Sequence, residues 1–171
     1  MPAHLLSVRI ADAEALSGGI AMTVATSYPM SFTWNDEDRA YHIRCRDLPE
    51  VLSSGATKAE ACEMAADALE VAIAGRIEDE EKIPASSKPR KGERLVPLSA
   101  QLAAKVAVYC AWREAGISKV ALAKKLGIAE GEARRILDPR YGTKLDRLEA
   151  ALAALGQRLV INAEPMKRDA A

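Results

Sequence analysis

The side chains whose spacing carries the most chemistry lie between Ser118 and Leu137. Ala123 and Gly127 stand four apart, with Leu122, Leu126, Ile128, Ala133 and Ile136 around them. A helix-turn-helix requires a small residue where two helices cross and a residue that accepts a left-handed turn four positions on. It also requires apolar residues that close a small core. In that frame the second helix enters the DNA major groove, and Ala129, Glu130, Gly131, Arg134, Arg135 and Asp138 face outward. Arg134 and Arg135 are expected to reach guanine edges or phosphates, and Glu130 to accept from a cytosine amine. Lys119, Arg140, Tyr141 and Lys144 flank the motif and suit contacts to the DNA backbone. Glu130 and Glu132 count against the reading, because a carboxylate near phosphate is repulsive. Two packed helices of another bundle would satisfy the same apolar spacing.

No comparable set points to catalysis. The two histidines are His4 and His42, and His42 reads as surface decoration on a strand rather than as a base. Cys45, Cys62 and Cys110 are scattered with no CxxC, which argues against a disulfide framework or a zinc ribbon and for a reducing, cytoplasmic setting. Asp36-Glu37-Asp38 reads as a solvated turn rather than a metal site. There is no phosphate loop, nucleophile elbow or metal-ligand spacing, so a binding protein without cofactor is favoured over an enzyme.

The charge pattern sharpens this. The 171 residues hold 24 basic and 24 acidic side chains, a formal net charge of zero. Residues 1–83 carry seven basic against fifteen acidic, a net of −8, and residues 84–171 carry seventeen against nine, a net of +8. Such a split suggests an acidic module for a basic partner and a basic module for a polyanion. With 49% hydrophobic and 28% charged residues the chain has the composition of a globular protein, and no run is apolar enough for a membrane span.

The elements that must hold these residues are readable in outline. Residues 1–25 show no clear period, are interrupted by Arg9, Asp12 and Glu14, and are expected to be a disordered extension, with Met22 as a candidate start. Tyr28, Met30, Phe32 and Trp34 alternate with smaller or polar residues, as do Tyr41, Ile43 and Cys45, so two strands flank the polar turn Asn35–Arg39. Val51–Ser54 is a candidate third strand. Thr57-Lys58-Ala59-Glu60 fits a capping box for a helix ending near Gly75–Ile77, with Cys62, Ala65, Ala66, Leu69, Ala72 and Ile73 as its buried stripe. Glu78–Gly92 reads as a loop and Arg94–Leu98 as a strand. Ser99 and Gly116, then Ser118 and Gly127, bracket two helices. A third runs from about Ala129 to Leu137, and a fourth from about Lys144 to Leu155. Leu159–Ile161 is a candidate terminal strand, expected to pair between subunits because an unpaired edge invites it. The fold class is α+β, a small β-sheet plus helix followed by an all-α helix-turn-helix domain. The expected divisions are 1–25, 26–98, 99–162 and a tail at 163–171.

The order of these pieces resembles the HicB family of antitoxins. The resemblance is carried by Tyr28-Pro29-Met30, Arg46-Asp47-Leu48-Pro49, Gly55-Ala56-Thr57-Lys58-Ala59-Glu60-Ala61, Ile83-Pro84-Ala85-Ser86 and Leu95–Ser99. It continues through Ala115–Lys119, Leu122–Gly127 and Leu137-Asp138-Pro139 to Gly156, and covers about residues 26–162. It implies an N-terminal domain like a reduced RNase H fold that lacks nuclease activity. That domain would bind HicA, a small basic ribonuclease toxin, while the C-terminal domain binds the operator of the toxin–antitoxin pair. Asp36, Asp38, Asp47 and Glu50 are the expected toxin contacts, and a homodimer or higher oligomer reading two DNA half-sites is expected. The alternatives are a free-standing helix-turn-helix regulator whose N-terminal domain senses a small ligand and, third, a metal-dependent nuclease.

Overall fold

The computed structural model describes residues 8–12 and 22–161. The hairpin forms where the alternation places it, as β3 (Ser27–Asn35) and β4 (Ala40–Cys45) with Met30, Phe32 and Trp34 opposite Cys45, Ile43 and Tyr41. The Asn35 side-chain oxygen accepts from the Glu37 and Asp38 N–H groups at 2.8 and 3.2 Å, and Arg39 closes the turn at φ 50°. Trp34 and Tyr41 meet edge to face across the strands, with centroids 4.9 Å apart. β5 (Leu52–Gly55) adds to β4, and β6 (Glu93–Pro97) adds to β3, giving an antiparallel sheet in the order β5-β4-β3-β6.

One helix covers this sheet. α1 (Lys58–Glu78) starts at Thr57, whose hydroxyl accepts from the Glu60 N–H at 3.2 Å, while the Glu60 carboxylate reaches back to the Ala56 N–H at 2.8 Å. Its buried residues are Ala61, Ala65, Leu69, Ala72, Ile73, Ala74 and Ile77, and all of them except Ala74 lie in one cluster with Tyr28, Met30, Ile43 and Cys45. Cys62 and Ala66, expected in that stripe, are only half-buried, because the helix leans toward the β5 side of the sheet. The small stripe lets α1 approach closely. A Cβ added at Gly55 would stand 2.5 Å from the Ala61 nitrogen.

The loop after α1 is pinned rather than free. Tyr28 donates to the Pro84 carbonyl at 2.7 Å, and Tyr109 to the Glu81 carbonyl at 2.5 Å. Arg46 grips Ser87, the Lys88 carbonyl and Glu93, and Asp47 accepts from the Ser87 N–H at 2.9 Å and from its hydroxyl.

Four helices follow. α2 (Ala100–Ala115) is capped by Ser99 and stopped by Gly116 at φ 61°. It is buried on nearly every side, because the first sheet's loop, α4, α5 and the terminal strands all pack on it. α3 (Lys119–Leu126) is capped by Ser118 and stopped by Gly127 at φ 66°. α4 (Glu130–Leu137) follows a turn of Gly127, Ile128 and Ala129, and Ala129 makes no side-chain cap. α5 (Leu145–Ala154) leads to β7 (Gln157–Ile161).

One expectation is corrected at the chain ends and one is narrowed. Residues 1–25 are not wholly a disordered extension: Val8–Asp12 forms β1 and Met22–Thr23 forms β2. The terminal strand, expected to pair between subunits, has a partner within the chain, since β1 pairs with it antiparallel from Val8 opposite Ile161 to Asp12 opposite Gln157. The order is β2-β1-β7, which leaves one side of β7 as an edge among the described residues. The physical reason is that a five-residue strand has too little period of its own and is settled by a partner more than a hundred positions away. His4 and the tail at 163–171 lie outside the described residues.

Candidate nucleic-acid interface and acidic contact residues

In the α3–turn–α4 unit Leu122, Ala123, Ala133, Ile136 and Leu137 are all buried, and α4 packs on both α2 and α5 while α3 packs on α5. Its C-terminal end is held by a residue that sequence reasoning missed. Lys105 of α2 is 2% exposed, and its ammonium donates toward the carbonyls of Arg135 at 2.9 Å, Ile136 at 3.0 Å and Asp138 at 2.7 Å, and toward the Thr143 hydroxyl at 2.7 Å. These are the carbonyls that a helix leaves unpaired at its end, where its dipole also favours a cation. Burial pulls the Lys105 ammonium down to about 8, and the nearby Asp138 charge opposes that. Its signal in the sequence is a lone charge inside the apolar run Leu102–Val108.

The structure divides the expected DNA contacts into two groups. Gly131, Arg135, Tyr141 and Lys144 line one cleft between α4 and the start of α5. Arg135 lies over the Tyr141 ring, 5.5 Å from its centroid, and a Cβ at Gly131 would meet nothing, so this part of α4 is open to an approaching backbone. Arg147, absent from the sequence-based set, lines the same cleft and pairs with Glu132 at 3.3 Å. Its signal was its place one turn after Lys144.

The second group faces the acidic end of α1. Lys119 pairs with Glu80 at 2.7 Å and lies 5.6 Å from the Trp112 ring centroid. Arg140 pairs with Glu78 at 2.6 Å. Arg134 is exposed on α4 and folds onto Glu130, one turn earlier, at 2.5 and 2.9 Å. Part of the −8 and +8 is therefore neutralised inside the molecule.

The four expected toxin contacts are also divided. Asp36 accepts from the Trp34 indole N–H at 2.8 Å, and Asp38 pairs with His42 at 2.7 Å, both at the hairpin tip. Asp47 and Glu50 lie beyond the other end of β4, about 17 Å away by strand rise. There Asp47 holds the loop at Ser87, and Glu50 pairs with Arg76 of α1 at 2.5 Å.

Three ion pairs give a pH signature. Hydrogen bonds from Arg76, Lys119 and Arg46 hold the carboxyls of Glu50, Glu80 and Glu93 below their ordinary value of 4.5. Their folded values lie below the unfolded ones, so their stabilisation is complete above that value and lost as pH falls through the folded values. The thermal midpoint is expected to drop as pH falls below about 4.5, and Glu80→Gln to remove part of that drop. Scanning calorimetry across this range checks it, and a flat midpoint would contradict it.

Among the described residues no group of three or more His, Cys, Asp and Glu is arranged to hold a metal, and no helix is long and apolar enough to cross a membrane. The three cysteines are unpaired, and burial pushes the Cys110 thiol up to about 11.

Comparison with known proteins matches this architecture to one family. Residues 27–107 fit the profile described as the HicB-like antitoxin of bacterial toxin–antitoxin systems. The chain is 36% identical over 128 residues to Antitoxin HicB 1 of Photorhabdus laumondii subsp. laumondii, covering 75% of this chain and 81% of that protein. It is 33% identical over 132 residues to Antitoxin HicB of Escherichia coli K12, covering 77% and 95%. It is 30% identical over 131 residues to Antitoxin HicB of Pseudomonas fluorescens Pf0-1, covering 76% and 90%. With a sheet and helix followed by a helical half, and with these relatives spanning most of both chains, the protein belongs to the HicB family of antitoxins.

Proposed function

We propose that this antitoxin covers a small basic ribonuclease toxin of the HicA type with residues 26–98 and binds operator DNA with residues 99–162 as a helix-turn-helix, acting as a dimer in the cytoplasm and regulating its own transcription. The observation that carries the DNA role is the open cleft where Gly131, Arg135, Tyr141 and Lys144 meet on α4 and the start of α5. Arg134 and Arg135 supply base or phosphate contacts, and Lys119, Arg140 and Lys144 supply backbone contacts.

Arg134→Ala is expected to weaken operator binding by about 1–3 kcal/mol and relax specificity if its contact is bidentate. Wild-type affinity should fall with salt by about 0.9 log–log units per phosphate neutralised. Gel-shift or anisotropy titration on the chain's own promoter region measures both. Salt-independent binding, or none, leaves a toxin inhibitor without a DNA role.

One feature favours a ligand-sensing regulator instead. A cavity of about 350 Å3 lies between the loop and α2, lined mainly by Val24, Ile83, Pro84, Tyr109 and Cys110 with Arg113 beside them. A neighbouring reading frame for a short basic protein that co-purifies with this chain supports the antitoxin reading. A chain that stays free beside that protein supports the sensor.

A further inference from the structure

The outer side of α1 carries an apolar groove of which only Glu50 figures among the contact residues named above. Met64, Ala68 and Val71 fall at helical spacing on one stripe, and Leu52 of β5 lies beside them. Leu52 is 60% exposed and Val71 67%, the two highest values among the large apolar side chains described. A single exposed leucine needs no explanation, but apolar side chains gathered in one groove of about 720 Å3 do.

The rim carries one sign of charge. Glu50, Asp67, Asp79 and Glu81 line the groove against a single basic side chain, Arg76. Arg76 is already held by Glu50 at 2.5 Å and lies 3.5 Å from Glu81. The lining therefore has a formal excess of three negative charges over an apolar floor. An uncharged apolar partner would bury those carboxylates unpaired, at high cost. An acidic partner would be repelled.

We infer that this groove is the seat of a basic, amphipathic protein segment. Its apolar side chains rest on the Met64–Ala68–Val71 stripe, and its lysine or arginine heads reach Asp67 and Asp79, while Glu50 and Glu81 are shared with Arg76. The inference rests on the toxin-covering reading and moves the main contact to α1, away from the hairpin tip. At the tip, Asp36 and Asp38 already have partners in Trp34 and His42.

The test uses the full chain and, as probe, the small basic protein encoded beside it, purified separately. Val71→Glu and Leu52→Glu place a charge at exposed positions, so the fold should survive, as circular dichroism and the thermal midpoint will verify. Each is expected to weaken binding of the probe by about 100-fold in calorimetric titration. The double variant Asp36→Asn with Asp38→Asn should stay within about threefold of wild type, and operator binding by Val71→Glu should be unchanged.

If wild type binds and both groove variants bind equally well, the groove assignment falls and the antitoxin reading stands. A wild-type chain that does not bind the probe overturns both. Should light scattering of the chain alone show that Val71→Glu converts a dimer to a monomer, the groove belongs to a second copy, and the assignment to a basic partner falls.

Discussion

Gly55→Ala should destabilise the protein by about 3 kcal/mol or more, the upper end of what overpacking costs. The added methyl would lie 2.5 Å from the Ala61 nitrogen, 2.7 Å from its Cα and 2.9 Å from the Glu60 carbonyl carbon. All three are backbone atoms, so no side-chain rotation relieves the clash. They belong to the first turn of α1, which is tied back to the chain through the Glu60 bond to the Ala56 N–H and the Thr57 cap. Gly55 is itself paired with Tyr41 at the end of β5. Relief requires either the β5 edge or the start of α1 to move, and that movement opens the Ala61–Ala65–Leu69 seam. Urea denaturation should show a lower midpoint with a similar slope. An unchanged midpoint would mean that α1 approaches the sheet less closely than the structure has it.

Lys105→Met is expected to cost about 3 kcal/mol. The substitution keeps a long flexible side chain but removes every donor. Four oxygens, three of them carbonyls at and just past the end of α4, then lose their charged partner in a place water does not reach freely. The Thr143 hydroxyl, 3.3 Å from the Arg135 carbonyl, can replace one of those bonds but not the others. Because the ammonium is pulled down only to about 8, the charged form still predominates at neutral pH. Hydrogen exchange should show that the loss is local first. Amides at the end of α4 and through Asp138–Thr143 should exchange faster in the variant, while those of β3 and β4 keep their protection. Uniform protection in both forms would contradict the role given to Lys105.

The contrast between what the sequence made legible and what it did not follows the range of each interaction. The caps at Thr57, Ser99 and Ser118 and the left-handed stops at Gly116 and Gly127 are decided within four residues, and each stands where the residue types placed it. The β3–β4 hairpin is equally local, with alternation on both strands and a turn whose asparagine side chain accepts from the Glu37 and Asp38 amides. The pairing of β1 with β7 joins opposite ends of the chain through segments too short to show a period, and it was missed. Lys105 was missed because a lysine in an apolar run looks like an interruption until the carbonyls it serves are visible. The charge split was plain in composition, but its local use was not. The Glu78–Arg140 pair spans 62 positions, and nothing near either residue announces the other. The candidate contacts were likewise chosen by type and neighbourhood, which cannot tell an aspartate that faces solvent from Asp47, which is spent on a loop.

The pairs Glu80–Lys119 and Glu78–Arg140 have a consequence for how the chain would meet a polyanion. Free lysines and arginines keep a loose cloud of anions from the buffer. Here two of the basic groups instead carry carboxylates of the same molecule, tethered at the end of α1. A phosphate arriving at Lys119 or Arg140 would displace a carboxylate of the same molecule, and the displaced group would remain nearby to compete for the site. At these two positions no buffer anion would be released, while the cations condensed on the polyanion still would be. Occupancy at the basic end and the integrity of these two ion pairs would also become one thermodynamic quantity, so that whatever loosens the carboxylates at the end of α1 strengthens the hold on the polyanion.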